Sequence, residues 1–288
     1  MSDGWTVAGG RLVRPAPFCL VGIVNLTPDS FSDGGLYLDP DRAVRHGLEL
    51  LDQGAHLLDL GAASTRPGAS FLADTLERSC AVETARLLPV LEALRRMKPE
   101  AVLCADTCHG ATAAAALAAG ADVINDVSAC GRDPSLLEVL GQYRPGYVLV
   151  HGEGRGGAAG AGDPDTVTDR VLRFFDEQLA RLARAGLPDA CIVLDPGVGF
   201  GKTSRESAAL LRDTERLQSL GRPLYVGLSM KSLFGDLFGL PLADRGEATC
   251  VAAALLAARG VRYHRVHDVA NAAKALRLTA LVCSEAAW

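Results

Sequence analysis

Two groups of polar residues in this chain combine the types and spacing that chemistry requires. Asp106, Asn125, Asp195 and Lys231 lie at or just beyond the ends of short apolar runs: AVLCADT, DVINDVS, CIVLDPG and PLYVGLS. Together they are suited to ring a flat heterocycle. A 2-amino-4-oxo-pyrimidine edge presents adjacent N–H donors, which a carboxylate accepts in parallel. Asn25, Arg66, Arg265 and His267 suit a phosphate-bearing group instead. Guanidinium forks match phosphate oxygens, and an amide oxygen can help to hold Mg²⁺. Singly, each has a plainer reading, since an Asp or Asn at a strand end is more often a helix N-cap than a catalyst. What matters is whether the fold brings them to one surface.

The apolar runs recur as a unit of short strand, polar tip and amphipathic helix. Strands are expected at 19–25, 56–62, 101–107, 122–128, 146–152, 191–197, 223–229 and 262–268. Near-continuous apolar runs of this kind fit parallel strands buried on both faces. Helices are expected at 40–54, 75–97, 109–119, 134–143, 166–185, 204–220, 246–259 and 269–284, several of them stopping at a glycine. Eight such alternations without a long linker predict an α/β fold of the (β/α)8 TIM-barrel type, a single domain over 19–288 with residues 1–18 capping its bottom. An open doubly wound sheet is the runner-up. In a barrel all eight strand ends meet at one mouth. The tips gathered there are Asn25, Ser64-Thr65-Arg66, Asp106, Asn125 with Asp126, His151, Asp195, Ser229 to Ser232, Arg265, His267 and Asp268.

Composition narrows the partners. The chain has 288 residues, 49% hydrophobic and 22% charged, with a formal net charge of -5. An acidic balance argues against nucleic acid as a main partner. No apolar run reaches the roughly 18–20 residues of a membrane span, and the first residues lack a signal-peptide pattern. Eight scattered cysteines without a C-x-x-C pair read as buried free thiols of a cytoplasmic protein rather than disulfides or a zinc site. DPGVGFGKTS (195–204) imitates a phosphate-binding loop, but Pro196 stands where that motif needs glycine. Lys202 then reads as a solvated lysine at a helix start, with an anion contact as the alternative. His46, His56, His109 and His264 read as structural. Asp59, inside a strand, needs a partner, and the arginine of a neighbouring tip is the expected one.

The strings VGIVNLTPDSFSDGG, ASTRPGA, ADT, INDVS, LDPGVGFGK, VGLSMKS and RVHDV, spread over residues 21–269, resemble the dihydropteroate synthase family in order and spacing. The resemblance implies condensation of 6-hydroxymethyl-7,8-dihydropterin pyrophosphate with p-aminobenzoate, releasing pyrophosphate, in a Mg²⁺-assisted cytoplasmic enzyme that is commonly a homodimer. It implies a pterin set of Asp106, Asn125, Asp195 and Lys231, and a pyrophosphate set of Asn25, Arg66, Arg265 and His267, with Asn25 at the metal. Asp106, Lys231, Arg265 and His267 are the implied catalytic residues. Thr65, Arg66, Pro67, Phe200 and Ser232 are implied for the p-aminobenzoate pocket, and loops 27–35 and 63–72 are implied to close over the site. Four positions depart from the family pattern. Met230 stands for an arginine in Ser229-Met230-Lys231-Ser232, Val150-His151-Gly152 stands for Met-His-Met, and Ala63 replaces a polar residue. Met230, Val150 and Gly152 motivate the alternative of a non-catalytic pterin-binding paralogue. A pterin-dependent methyltransferase relative is a further alternative.

Overall fold

The computed structural model describes residues 4–27, 39–62, 76–152 and 163–283. Two short strands, β1 (Trp5–Thr6) and β2 (Leu12–Val13), pair antiparallel ahead of the main sheet. The eight strands that follow are parallel: β3 (Cys19–Asn25), β4 (Leu57–Gly61), β5 (Val102–Asp106), β6 (Val123–Asp126), β7 (Gly146–Val150), β8 (Ile192–Asp195), β9 (Tyr225–Gly227) and β10 (Tyr263–Val266). Their hydrogen-bonded order is β8-β7-β6-β5-β4-β3-β10-β9. A parallel bridge between Leu194 and Leu224, with the Leu194 N–H donating to the Pro223 carbonyl at 3.0 Å, joins the two ends. The sheet is therefore the expected (β/α)8 barrel, with its closing seam the lightest.

Helices α1 (Pro40–Asp52), α2 (Leu76–Met97), α3 (Gly110–Ala118), α4 (Ser135–Tyr143), α5 (Val167–Arg184), α6 (Ser204–Arg212), α7 (Thr214–Gln218), α8 (Ser232–Phe238), α9 (Arg245–Ala258) and α10 (Val269–Cys283) complete the described chain. Strand residues alternate between two cores. Leu58, Leu60, Leu103 and Ile124 pack outward under the helices, whereas Leu57, Cys104, Val123 and Tyr225 fill the barrel. Burial on both sides is why the strands read as unbroken apolar runs. Below them Trp5 meets Tyr263 edge-on at 5.4 Å and donates its indole N–H to the Cys191 carbonyl at 2.7 Å. Asp122 fixes the same end, accepting from Arg11 at 2.9 Å, Arg95 at 2.7 Å and the Leu103 N–H at 2.9 Å.

The helix expected over 204–220 is instead two, α6 and α7, broken at Asp213 (φ −94°, ψ 22°). The Asp213 carboxylate accepts the Thr168 hydroxyl at 2.7 Å, so a tie to α5 replaces helical continuation. The short α8 lies in a segment that its sequence left unassigned.

Candidate active site

Strand alternation decides which polar tips enter the mouth. Asn25, Asp106, Asn125, Asp195, Arg265 and His267 share the inward parity of Leu57 and Cys104. Asp126 and His151 have the opposite parity. The Asp126 carboxylate accepts the Tyr147 hydroxyl at 3.0 Å and the Ser128 and Cys130 N–H groups at 2.8 and 2.5 Å, capping the turn after β6. The His151 ring packs edge-on against Phe174 of α5, centroids 4.6 Å apart. These two belong to the wall behind the mouth.

A buried charge cluster forms the floor. Asp59, fully buried, receives the Arg265 Nε at 2.5 Å and the Asn125 amide N–H at 3.0 Å on one carboxylate oxygen. The Arg265 Nη2 donates onward to Asp106 at 2.9 Å. The strand-interior aspartate thus has the partner its sequence position demanded. One guanidinium orients two carboxylates and, through Asp59, the amide of Asn125. Burial, reinforced by Asp59, raises the Asp106 carboxyl to about 8 against the pull of Arg265. The Arg265 guanidinium, held by both carboxylates, is shifted upward.

The opposite wall comes from β8, β9 and the loop 196–203. Asp195 is 6% exposed and accepts the Gly197 N–H on one oxygen at 2.8 Å, leaving the other for a ligand. Burial raises its pKa, with Lys231 the largest opposing influence. The Lys231 ammonium donates to the Val198 carbonyl and stands over the Phe200 ring, 4.5 Å from its centroid. Burial lowers its pKa to about 8. Gly197 (φ 68°) is required here, because a Cβ at that position would lie 2.0 Å from the His151 carbonyl oxygen. Lys202 is neither solvated nor at the mouth. It is 7% exposed and donates to the carbonyls of His151, Gly197 and Phe200 at 2.8, 3.1 and 3.1 Å, so it staples the loop on which Asp195 depends. Its sequence context, a lysine among glycines, carried no sign of that burial.

At the rim Asn25 and His267 meet, with the amide nitrogen 3.5 Å from Nε2, and His267 Nδ1 lies 2.8 Å from the Ser229 hydroxyl. Ser229 thereby sets the His267 ring, a role the sequence did not assign. Ser232 opens α8 and is exposed. Thr65, Arg66, Pro67 and Ala63, with residues 28–35 of the first loop, lie outside the described residues. Among those described, no three His, Cys, Asp or Glu side chains group as a metal cage, and no helix is long and apolar enough to cross a membrane.

A floor of paired carboxylates, an amide and a guanidinium, facing an Asp–Lys wall, is suited to a planar polar heterocycle beside an anion. Comparison with known proteins agrees. The family model for pterin binding enzymes matches residues 21–267. The dihydropteroate synthase of Clostridium beijerinckii is 32% identical over 264 residues, 91% of this chain and 93% of that protein. A dihydropteroate synthase structure from Xanthomonas albilineans with 4-aminobenzoic acid superposes with a TM-score of 0.86 at 38% identity, covering 98% of this chain and 100% of the other. The same organism's enzyme in complex with 7,8-dihydropteroate gives a TM-score of 0.83 at 36% identity, with 97% and 98% covered. With its barrel, its mouth and its nearly full-length relatives in agreement, the chain belongs to the dihydropteroate synthase family of pterin-binding enzymes.

Proposed function

We propose that this chain condenses 6-hydroxymethyl-7,8-dihydropterin pyrophosphate with p-aminobenzoate, giving 7,8-dihydropteroate and pyrophosphate. The observation that carries the reading is the two-walled mouth. Asp195 and Asn125 offer acceptors and a donor to a pterin edge, while Arg265, His267 and Asn25 gather on the adjoining rim. Asp195 keeps one carboxylate oxygen clear of Gly197 for the pterin N–H groups. Lys231, lying over Phe200, supplies a cation to the carbonyl edge of the ring.

The reaction breaks the C–O bond between the pterin methylene and the pyrophosphate and forms a C–N bond to the aromatic amine. The electron pair leaves with pyrophosphate, and the amine loses a proton. An electron-rich dihydropterin spreads the positive charge that develops on the methylene. Asp106, anchored by Arg265, presents its carboxyl oxygens near that charge, and the preorganised pair needs no rearrangement as charge moves. The Arg265 guanidinium holds the departing anion, with the His267 ring beside it on the rim, and the p-aminobenzoate pocket draws on Phe200, Ser232, Thr65, Arg66 and Pro67. The three residues 65–67, and Arg66 as a further pyrophosphate ligand, rest on the family pattern.

Mg²⁺ characteristically binds through one or two protein oxygens with substrate phosphates completing its shell. Asn25 fits that demand, because its amide nitrogen faces His267 and its oxygen is the donor left for an ion. When bound, the metal would neutralise charge on the leaving group.

Two copies are proposed to pair through α9 and α10. Val251 and Leu255 of α9 and Leu278 and Val282 of α10 are 61%, 64%, 59% and 73% exposed, an apolar patch of the kind that marks an interface. A cytoplasmic location is part of the same reading, supported by the free, mostly buried thiols. The test of the activity is calorimetry with the pterin pyrophosphate, followed by pyrophosphate release on adding p-aminobenzoate. Binding without release would assign the chain to the non-catalytic paralogues, and tight methyl-tetrahydrofolate binding without either would favour a methyltransferase.

A further inference from the structure

The turn that delivers Lys231 is conformationally strained. Leu228 to Lys231 form a four-residue turn closed by the Lys231 N–H on the Leu228 carbonyl at 3.3 Å. Met230 holds its third position with φ 60°. In that left-handed region the Cβ crowds the backbone, and glycine or asparagine is the usual occupant. Both backbone polar groups of Met230 are taken up by α9. The Met230 N–H donates to the Thr249 hydroxyl oxygen at 3.2 Å, and Arg245 Nη1 donates to the Met230 carbonyl at 3.4 Å. The clamp is braced within itself. Thr249 Oγ1 donates to the Arg245 carbonyl at 2.7 Å, and Arg245 Nε donates to the Leu240 carbonyl at 3.2 Å. Thr249 is only 5% exposed, so water is poorly placed to replace its hydroxyl.

The residue that follows takes its direction from this turn. Lys231 is extended (φ −68°, ψ 154°) at the N-cap of α8, and its ammonium reaches back over Phe200. If Met230 relaxed to a right-handed or extended backbone, the chain would enter Lys231 along another path. We propose that Thr249 and Arg245 are positioning residues, holding Met230 left-handed so that Lys231 is aimed into the mouth. The functional half of this inference rests on the reading of Lys231 as a pterin contact. The conformational half does not, and the two can be measured apart.

Methionine occurs only at positions 1, 97 and 230, so selective ¹³C,¹⁵N-methionine labelling gives a nearly assigned spectrum of the ligand-free, full-length chain. Thr249→Val should move the Met230 amide and Cα signals, spare those of Met97, and leave the melting temperature close to wild type. Binding of 6-hydroxymethylpterin, followed by calorimetry, should weaken about fivefold, the equilibrium worth of one neutral hydrogen bond. Thr249→Ser, which keeps the hydroxyl, should restore both. The decisive variant is Met230→Gly with Thr249→Val. Glycine enters the left-handed region without penalty, so the double variant should regain most of the lost affinity. A role for Thr249 in helix packing alone predicts no rescue, and absence of rescue would overturn the proposal. So would a Met230 signal that does not respond to Thr249→Val. A signal that moves while pterin affinity stays at the wild-type level would instead remove Lys231 from the pterin site, and the positioning role with it.

Discussion

Asp195→Asn isolates the pterin edge with little disturbance to the barrel. The asparagine keeps the volume of the aspartate, and its carbonyl oxygen can still accept the Gly197 N–H now held at 2.8 Å. The amide then turns its NH₂ toward the mouth, where the second carboxylate oxygen was free to accept. One charge-assisted hydrogen bond to the heterocycle is lost, at about 1.5–3 kcal/mol. A donor also faces the ring's own donors, which makes the upper part of the range the better guide. With tenfold in affinity for each 1.4 kcal/mol, binding of 6-hydroxymethylpterin should weaken by about 30- to 140-fold. Stability should not fall in parallel. Burial already disfavours the Asp195 charge, and Lys231 retains the Val198 carbonyl and the Phe200 ring. Calorimetry on wild type and variant, with melting curves beside it, gives both quantities. A loss of less than about threefold in a folded variant would refute the assignment of Asp195 to the pterin edge.

Three further outcomes follow from the structure. Leu255→Glu puts a charge into the exposed apolar face of α9, and if two copies pair there as proposed, sedimentation should show a wild-type dimer and a monomeric variant; a dimer unchanged by the substitution, or a monomeric wild type, would refute pairing through this face. Asp122→Ala leaves the Leu103 N–H without its acceptor and takes the carboxylate from Arg11 and Arg95, which keep backbone carbonyls, and should cost about 1–3 kcal/mol in denaturant unfolding without altering pterin affinity. His151 supplies a pH test, because burial, with Lys202 and Arg170 nearby, pushes its pKa from 6.5 to about 3. The unfolded chain takes up the proton near pH 6.5 and the folded chain only near 3, so its contribution is present above 6.5 and lost as pH falls between them. The slope is at most about 1.4 kcal/mol per pH unit, and His151→Gln should flatten it in pH-dependent melting.

The architecture was legible because parallel strands buried on both faces leave unbroken apolar runs, and each of the eight expected runs contains one observed barrel strand. The β1–β2 hairpin was not legible, since two-residue strands carry no period. Asp59 announced its need for a partner by being a carboxylate inside an apolar run, and Arg265 answers it. Lys202 gave no such sign. Its burial depends on three carbonyls converging from two loops, which no local pattern records. His151 and Asp126 looked like mouth residues because a strand end fixes height along the barrel but not side. One step of strand parity turned both toward the helices. The clamp on Met230 was hidden for a similar reason, because its hydrogen-bonding partners lie 15 and 19 residues away on α9.

The mouth is proposed to join a pterin to an aromatic amine with loss of pyrophosphate. The most direct measurement is pyrophosphate release from purified chain given 6-hydroxymethyl-7,8-dihydropterin pyrophosphate and p-aminobenzoate with Mg²⁺. One pyrophosphate should appear for each 7,8-dihydropteroate formed, only when both substrates are present, and Arg265→Ala should abolish the signal. Saturable binding of the pterin pyrophosphate with no release in the presence of p-aminobenzoate would contradict that activity.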